Sequence, residues 1–489
     1  ASDVYKRQLY RLRSATAVTI SPDGAWAAFI VAEPPDTLAG ERRSHGDLWI
    51  APVDGSRPPR RYASGPSNER MPRWSPDGRR LAFLSDRGES GQPQIWIVRP
   101  DGGEPFRVTA VAEGVQFFDW SPDGGRFALT AVDTLPAAVE RARERGNDER
   151  IAGGEDRFAR VRIVDAATGA GDPVTPSDLH VSAVSWSPSG NRLALVVADR
   201  PTPGETYWNG RLDVLTLATG EQTALAGPAV GVPSWSPGGD RIAFELREAH
   251  PEITVPAPLV GVVPAAGGAL LRIGARHAGT FRAPRWLPGG EKLAVFEMAG
   301  ARGWLSVVTV ENGDVDRREE LLVPYYGGLE TFDFSADGER LVFLRGAPDA
   351  PPEVWADDGG WFGGAKQLTA LNPWLKDLRL PEMRVVRWTS RDGTAVEGVL
   401  VTPPDAKRDG GGAAVVVVHG GPAWAWWLGW HGTWHEWALP LACRGFVVLL
   451  PNPRGSLGYG AGFTRANFDD WGGGDFEDVM AGADLLVCL

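Results

Sequence analysis

Cysteine, histidine and long apolar runs are scarce in this sequence. Its 489 residues include 2 cysteines, 7 histidines and 4 methionines. Cys443 and Cys488 cannot form a disulfide framework, and we expect both thiols to be reduced and buried. No apolar stretch approaches the ~18 residues that a membrane-spanning helix needs. The longest such block, residues 413–418, is predicted to be a buried strand, so neither a disulfide-rich protein nor a membrane protein is indicated.

Positive charge is also in short supply. The 50 Lys and Arg residues face 62 Asp and Glu residues, which gives a net charge of −12. Nucleic-acid binding requires a basic surface, so the net charge argues against a nucleic-acid partner. Glycine (62) and proline (40) are abundant and together exceed a fifth of the chain. That composition favours a turn-rich β architecture over a helical one.

One short phrase recurs seven times along the first three quarters of the chain. The copies are ISPDGAWAAF at 20, WSPDGRRLAF at 74, WSPDGGRFAL at 120, WSPSGNRLAL at 186, WSPGGDRIAF at 235, WLPGGEKLAV at 286 and FSADGERLVF at 334. Each copy predicts a strand, a Pro- and Gly-containing turn and a second, alternating strand. A further hairpin follows each copy, so every unit contains four strands. Units of this kind, with a period of about 50 residues, predict a seven-bladed β-propeller over residues 9–375.

The remaining residues, 376–489, have a different pattern. MRVVRWTSRDGTAVEGVLVTPP predicts a hairpin, AAVVVVHGGP a buried strand with a Gly-rich turn, and FVVLLPNPRG another buried strand. Helices are predicted over TWHEWALPLACRG and over residues 475–488, with Asp475 as the cap of the second. That second helix would bury a face made of Phe476, Val479, Met480 and Ala483. Alternating strands and helices indicate the opening, incomplete part of a doubly wound α/β sheet.

Two motifs in this part bear on chemistry. In α/β-hydrolases the loop after such a strand supplies backbone N–H donors of the oxyanion hole, often as His-Gly-Gly. His419, Gly420 and Gly421 therefore form the candidate oxyanion hole. Ser456, in PNPRGSLGYG, resembles the nucleophile of a Gly-x-Ser-x-Gly elbow. However, Arg454 occupies the first glycine position and no helix start follows, so we interpret Ser456 as part of a structural loop.

The repeats followed by VVVVHGGP, NPRGSLGYG and DDWGGGDFEDVMAG resemble the prolyl oligopeptidase family of serine peptidases. The resemblance covers nearly the whole chain and is strongest to the acylaminoacyl-peptidase and dipeptidyl-aminopeptidase-like branches. It implies a propeller followed by an α/β-hydrolase domain that hydrolyses short or N-blocked peptides through an acyl-enzyme. The dipeptidyl-peptidase branch has Tyr where His419 stands, which favours the acylaminoacyl-like branch. The catalytic Ser, Asp and His are expected beyond Leu489, so the chain as given is predicted to be a C-terminally truncated, inactive fragment.

Several assignments stay open at this point. Trp424, Trp426 and Trp427 belong to a dense aromatic patch that either packs a core or forms a wall of the substrate pocket. His431 and His435 are interpreted as structural, since a metal site lacks a third ligand there. Glu319 and Glu320 are compared with paired substrate-binding glutamates, but an ordinary strand is favoured. No cofactor and no metal are predicted.

Rival functions and the chain ends also stay open. An esterase of the same fold, or a propeller binding module with a non-catalytic hydrolase remnant, are the alternatives to a peptidase. Asp3–Gln8 matches the translated end of a sequencing adaptor, so residues 1–8 are set aside as a scar of assembly. Short peptides are the expected partners, a membrane partner is not expected, and assembly of further copies is undecided. A cytoplasmic location is expected, with a secreted or periplasmic one left open.

Overall fold

Strands dominate the computed structural model of this chain. It describes residues 11–34, 45–63, 65, 67–135, 139, 141, 145–146, 156–248, 255–321, 323, 331–404, 412–421, 423–432 and 436–488. The adaptor-like residues 1–8 lie outside this set. Among the described residues, no helix is long and apolar enough to span a membrane.

Seven four-stranded antiparallel sheets follow one another in the described part of the chain. The first two consist of β1 Ser14–Ile20, β2 Trp26–Glu33, β3 His45–Pro52 and β4 Arg60–Ala63, then β5 Glu69–Trp74, β6 Leu81–Ser85, β7 Gln94–Val98 and β8 Phe106–Arg107. The third and fourth consist of β9 Phe117–Trp120, β10 Arg126–Val132, β11 Ala159–Asp165 and β12 Gly171–Pro173, then β13 His180–Trp186, β14 Arg192–Ala198, β15 Arg211–Thr216 and β16 Gln222–Ala226. The last three consist of β17 Ala229–Trp235, β18 Arg241–Glu248, β19 Val255–Pro264 and β20 Leu271–Ile273; β21 Thr280–Trp286, β22 Lys292–Ala299, β23 Arg302–Thr309 and β24 Val315–Glu320; and β25 Phe332–Phe334, β26 Arg340–Ala347, β27 Ala350–Asp358 and β28 Lys366–Gln367. The predicted four-stranded units are confirmed.

The repeated phrase forms the turn between the first two strands of a sheet. In the second sheet, the Ser75 hydroxyl donates to Asp77 Oδ1 (2.5 Å) and accepts from the Arg80 backbone N–H (2.9 Å). Gly78 has a φ of +68°, a left-handed conformation that glycine adopts without strain. The hydrogen bond from Ser75 lowers the pKa of the Asp77 carboxyl. Ser75, Asp77 and Gly78 of this copy therefore each stabilise the turn itself.

The phrase also joins neighbouring sheets. The Arg80 guanidinium lies 4.8 Å from the centre of the Trp120 ring in the third sheet and donates to Gly124 O (2.6 Å). Arg241 repeats this arrangement on Trp286 at 4.7 Å and Gly290 O at 2.6 Å. The Arg of one copy thus packs on the Trp ring of the next copy and donates a hydrogen bond to its Gly carbonyl. Periodicity alone did not indicate these contacts.

The first and seventh sheets are in contact. Thr19 Oγ1 donates to Asp333 Oδ2 (2.6 Å), and the Ala336 N–H donates to Pro22 O (3.0 Å). One buried apolar cluster contains side chains of the first, sixth and seventh sheets. The chain therefore returns to its starting sheet before it enters the C-terminal region.

The C-terminal region contains one further sheet. Its strands β29 Glu382–Thr389, β30 Ala395–Thr402, β31 Ala414–Val416 and β32 Val447–Asn452 are ordered β29-β30-β32-β31. The β29–β30 hairpin is confirmed. Within this sheet the parallel pair is β31 with β32, while β30 pairs antiparallel with β32.

The prediction of a buried strand over residues 413–418 was wrong. The strand spans three residues of exposed to half-buried side chains, and Val418 is 52 % exposed. The reason is its position: β31 is an edge strand of the described sheet and pairs there only with β32. An apolar run is buried on both faces only where layers cover it, and the run itself does not specify those layers.

Helix α1 Pro203–Trp208 belongs to the fourth propeller sheet, between β14 and β15. In the C-terminal region, a 3₁₀ turn at Pro373–Asp377 precedes the sheet, and the helices that accompany the sheet are α2 Ala438–Ala442, α3 Ala461–Arg465 and α4 Gly474–Cys488. The helix predicted before β32 is confirmed but reduced to five residues, with Gly445 beyond its end at a φ of +92°. The long helix α4 is confirmed.

The predicted buried face of α4 was wrong. Its buried residues are Asp478 and Gly482, whereas Phe476 is 53 % exposed. Gly482 packs so closely on Trp388 that a Cβ there would lie 3.0 Å from the indole. The start also differs, because Asp470 Oδ2, rather than Asp475, accepts from the Gly474 N–H at 2.8 Å.

Candidate oxyanion turn and its supporting loop

The candidate oxyanion hole lies in the turn that follows β31. The Val417 N–H donates to Leu449 O of β32 (2.9 Å) and so holds the chain just before the turn. Gly420 and Gly421 are exposed, and Gly421 has a φ of +134°. Glycine is needed at such a φ, because L side chains rarely adopt it. The turn therefore offers bare backbone at the surface, and the oxyanion assignment of these residues stays a prediction.

The His419 side chain points back into the protein. Its Nε2 lies 3.0 Å from Ser456 Oγ, and its Nδ1 lies 3.0 Å from Gly420 O. Burial lowers the pKa of this imidazole, so it is neutral near pH 7. Because a carbonyl oxygen only accepts, we assign the proton to Nδ1 and leave Nε2 as an acceptor.

Ser456 is completely buried. Its side chain is 0 % exposed, and its single hydroxyl proton is shared by two acceptors, Pro453 O at 2.6 Å and His419 Nε2 at 3.0 Å. The Thr464 hydroxyl in turn donates to Ser456 O (3.0 Å). A nucleophile must reach a substrate carbon, which this hydroxyl cannot do. The geometry favours the structural-loop interpretation of Ser456, although a Ser–His contact is present.

Arg454 explains why this loop lacks the first elbow glycine. The backbone N–H and the guanidinium Nε both donate to Asp478 Oδ2 (2.8 and 3.0 Å), and Nη2 donates to Asp478 Oδ1 (2.8 Å). Nη1 lies 2.8 Å from Asp392 Oδ2 in the β29–β30 turn. The two carboxylates raise the pKa of Arg454, and Arg454 lowers the pKa of Asp392. One side chain thus connects strand, helix and hairpin.

Sequence reasoning missed the Arg454–Asp478 pair. From sequence, Arg454 is notable only as a departure from the elbow motif. The only signal was a pair of opposite charges 24 residues apart, and nothing in a single sequence selects that pair from many others.

The three candidate pocket tryptophans have different surroundings. Trp427 is fully buried in the cluster that includes the first, sixth and seventh sheets. Trp426 is buried in the core of the last sheet, where its indole N–H donates to Val417 O (3.0 Å). Trp424 is half-buried, and its ring centre lies 5.5 Å from that of His419. Burial favours the packing alternative for Trp426 and Trp427, while Trp424 stays a candidate for the pocket wall.

The other candidates are accounted for by local partners. His431 is buried with Nε2 at 2.7 Å from Trp427 O, and its Nδ1 faces Glu436 at 3.6 Å. His435 lies outside the described residues. Within the described ranges, no group of three or more His, Cys, Asp or Glu side chains could hold a metal ion. Glu319 and Glu320, on β24, pair with Arg345 and Arg302 respectively.

The predicted burial of the cysteines was wrong. Cys443 and Cys488 are both free thiols, as predicted, but both are exposed. They lie at the ends of α2 and α4, where the described chain places no layer over them.

Comparison with known proteins finds peptidases among the similar sequences. Residues 434–488 match the model of the prolyl oligopeptidase family. An uncharacterized peptidase of Bacillus subtilis, YuxL, is 26% identical over 97% of this chain and 74% of its own length. Dipeptidyl-peptidase 5 of Porphyromonas gingivalis is 23% identical over 97% of this chain and 71% of its own.

Solved structures show the same architecture. The acylaminoacyl peptidase of Pyrococcus horikoshii superposes with a TM-score of 0.75 at 17% identity, covering 99% of this chain and 72% of that one. A puromycin-hydrolyzing peptidase of Mycobacterium tuberculosis gives 0.70 at 20% identity, covering 98% and 72%.

Fold and turn together define a propeller joined to an α/β-hydrolase sheet. Within that class, the chain is similar to the prolyl oligopeptidase family, whose model matches residues 434–488, as its motifs had indicated.

Proposed function

We propose that this chain is the propeller and the first part of the hydrolase domain of a serine peptidase that cleaves short or N-blocked peptides. The observation that carries the proposal is the His-Gly-Gly turn, exposed directly after the strand that pairs parallel with β32, in a chain with the family's C-terminal motif. The seven four-stranded sheets would form the seven blades of a ring that limits the size of the peptide. Relatives named dipeptidyl-peptidase and acylaminoacyl peptidase support this substrate class.

In the proposed mechanism the turn stabilises charge. A serine oxygen attacks the peptide carbonyl, and the carbonyl oxygen becomes an oxyanion before the amine leaves and an acyl-enzyme remains. Backbone N–H groups at Gly420 or Gly421 would donate to that oxyanion. The neutral His419 imidazole is held by its own partners, so it supports the turn from behind rather than acting as the base.

The 489-residue chain by itself is proposed to be inactive. The contact between Ser456 and His419 does not resemble a catalytic pair. Ser456 is buried, and His419 Nδ1 faces the backbone carbonyl of Gly420 where a catalytic histidine would face a carboxylate. Oxyanion donors without an activated nucleophile do little for an amide bond. A nucleophile, an acid and a base would have to be supplied by sequence that is not in this chain.

The test compares the 489-residue chain with the product of the uninterrupted reading frame from the same source. We expect a fluorophosphonate probe to label the longer protein only, and that protein to cleave an N-acetylated aminoacyl anilide. Gly421→Ala should lower its kcat by about 10²–10³. Gly445→Ala, just before β32, has a φ of +92° and nothing within 4 Å of the added Cβ, so it is the matched control for backbone strain.

Other outcomes would favour a different function for the protein. Labelling of Ser456 in the short chain would overturn the proposal. Turnover of acyl esters but no peptide would favour an esterase. A reading frame that ends at codon 489, with retained peptide binding, would favour a binding module.

A further inference from the structure

A two-residue turn of the sixth propeller sheet packs against the C-terminal region. Gly300 and Ala301 join β22 to β23 at the tip of the sixth sheet. The Gly300 N–H donates to Gly458 O (2.7 Å), and Ala301 O accepts from the Leu428 N–H (2.7 Å). The Ala301 N–H donates to Glu397 Oε1 (2.8 Å). One turn thus contacts the Ser456 loop, the segment after the Gly-Gly turn, and β30.

The contact is too close for side chains on either backbone. Gly300 has a φ of +60°, and a Cβ there would lie 2.5 Å from Glu397 Oε1. Gly458 has a φ of +88°, and its Cβ would lie 2.8 Å from Gly300 O. Ala301 is completely buried. Two glycines therefore face each other in a joint that only bare backbone can form.

Glu397 completes the joint from the side of the sheet. This buried carboxylate accepts from Ala301 at Oε1 and from Arg387 Nε at Oε2 (2.8 Å). The Tyr459 hydroxyl lies 3.3 Å from Oε1 and also accepts from Asn452 Nδ2 (2.9 Å). A buried carboxylate without donors is costly, so the propeller backbone supplies part of what Glu397 requires.

The joint continues directly to the candidate oxyanion turn. Gly458 lies two residues after Ser456, and between them the Leu457 N–H donates to Trp424 O (3.0 Å). Ser456 Oγ then contacts His419 Nε2. Each step is a hydrogen bond or two residues of chain, so a displacement of the tip displaces the imidazole behind the turn.

We propose that Gly300 and Ala301 are positioning residues, through which the propeller holds the Ser456 loop and thereby orients His419 and the Gly420–Gly421 turn. The inference depends on the proposed function only for the role given to that turn. The joint itself can be tested without catalysis.

The test introduces Gly300→Ala into the 489-residue chain, with Gly313→Ala as a matched control. Gly313 is in the β23–β24 turn of the same sheet at a φ of +75°, and a Cβ there meets only Ile273 at 3.8 Å. Both variants carry the same backbone strain, but only the first disturbs the joint. We expect amide exchange in residues 424–431 and 456–459 to accelerate about tenfold in Gly300→Ala alone. The imidazole nitrogen resonances of His419, but not of His180, should shift with it.

A second pair of variants covers the case in which Gly300→Ala unfolds the tail. Glu397→Ala removes the acceptor for the Ala301 N–H, whereas Glu397→Gln keeps an amide oxygen there. We expect the alanine variant to reproduce faster exchange and a shifted His419 signal, and the glutamine variant to restore both. Unchanged His419 resonances and exchange in both disruptive variants would overturn the proposal. Absence of fluorophosphonate labelling in the longer protein would count against the proposed function alone.

Discussion

The propeller sheets and the C-terminal region achieve their packing in opposite ways. In the propeller one phrase is repeated, so the same turn and the same Arg–Trp cation–π contact recur from sheet to sheet. In the C-terminal region single long-range contacts do the same task, above all Arg454 with Asp478. The C-terminal region also exposes large apolar side chains, since Trp471 is 74 % and Val487 is 87 % exposed. Repetition distributes stability over many equivalent contacts, whereas unique contacts concentrate it.

The largest effect is expected from Arg454→Ala. The change leaves Asp478, whose side chain is 0 % exposed, as a buried unpaired carboxylate. Breaking one partner of a buried pair costs about 3–5 kcal/mol. Urea unfolding followed by far-UV circular dichroism should show loss of the α4 signal at lower urea.

The matched control is Arg391→Ala. Arg391 pairs with Glu477 of the same helix at 2.9 Å, but its side chain is 68% exposed. An exposed pair contributes about 0–1 kcal/mol, so this variant should unfold nearly as the parent does. Equal midpoints for both variants would refute the concentrated role of Arg454.

A smaller effect is expected from Arg80→Ala in the propeller. The change removes the contact with the Trp120 ring and the hydrogen bond to Gly124 O. We expect a loss of about 1–3 kcal/mol, from the cation–π contact and one charged hydrogen bond. The adjacent, exposed Arg79→Ala should change the free energy of unfolding by less than about 0.5 kcal/mol. Thermal unfolding of both variants, with tryptophan emission as the probe, separates them.

Acid should affect both regions through one histidine each. Burial lowers the pKa of His180 in β13 and of His419 below the usual imidazole value of about 6.5. The folded protein therefore resists protonation more than the unfolded chain. The free energy of unfolding therefore depends on pH. Its contribution from each neutral, buried imidazole is fully present above about pH 6.5 and is lost as the pH falls through the lowered pKa of the folded state. His180→Gln and His419→Gln should each flatten the fall of the urea midpoint between pH 7 and pH 5, and an unchanged slope would contradict the expectation.

The smallest effect on stability is expected from Phe476→Gln. The side chain is already half-exposed on α4, so the free energy of unfolding should change by less than about 0.5 kcal/mol. Its removal should reduce self-association, because contiguous exposed apolar surface promotes it. Light scattering against concentration measures this, with Phe106→Gln in the propeller as the comparison.

Prediction succeeded where the pattern is local. The Ser-Pro-Asp-Gly turns, the β29–β30 hairpin and the existence of α4 follow from residues within a few positions of one another. Prediction failed where burial was at issue. Residues 413–418 were expected to form an interior strand, and the face of α4 that contains Phe476 was expected to be buried. Both errors concern what covers an element, which depends on distant parts of the chain.

The same division holds at the candidate site. His419, Gly420 and Gly421 could be selected from sequence, because a strand–His-Gly-Gly order has a mechanical meaning. The contact of His419 with Ser456, the clamp of Arg454 and the Gly300–Gly458 joint could not be. These contacts join residues 24 to 158 positions apart, and no periodicity links such pairs.

The sequence alone determined the repeat, the turn chemistry and the resemblance to the prolyl oligopeptidase family, because those depend on residue types at short spacing. Only the tertiary structure decided that Ser456 is buried, that His419 faces inward and that the tip of the sixth sheet contacts the loop containing Ser456 and Gly458. These features depend on which backbones approach within hydrogen-bonding distance, and a glycine in the sequence shows that an approach is possible without showing what approaches.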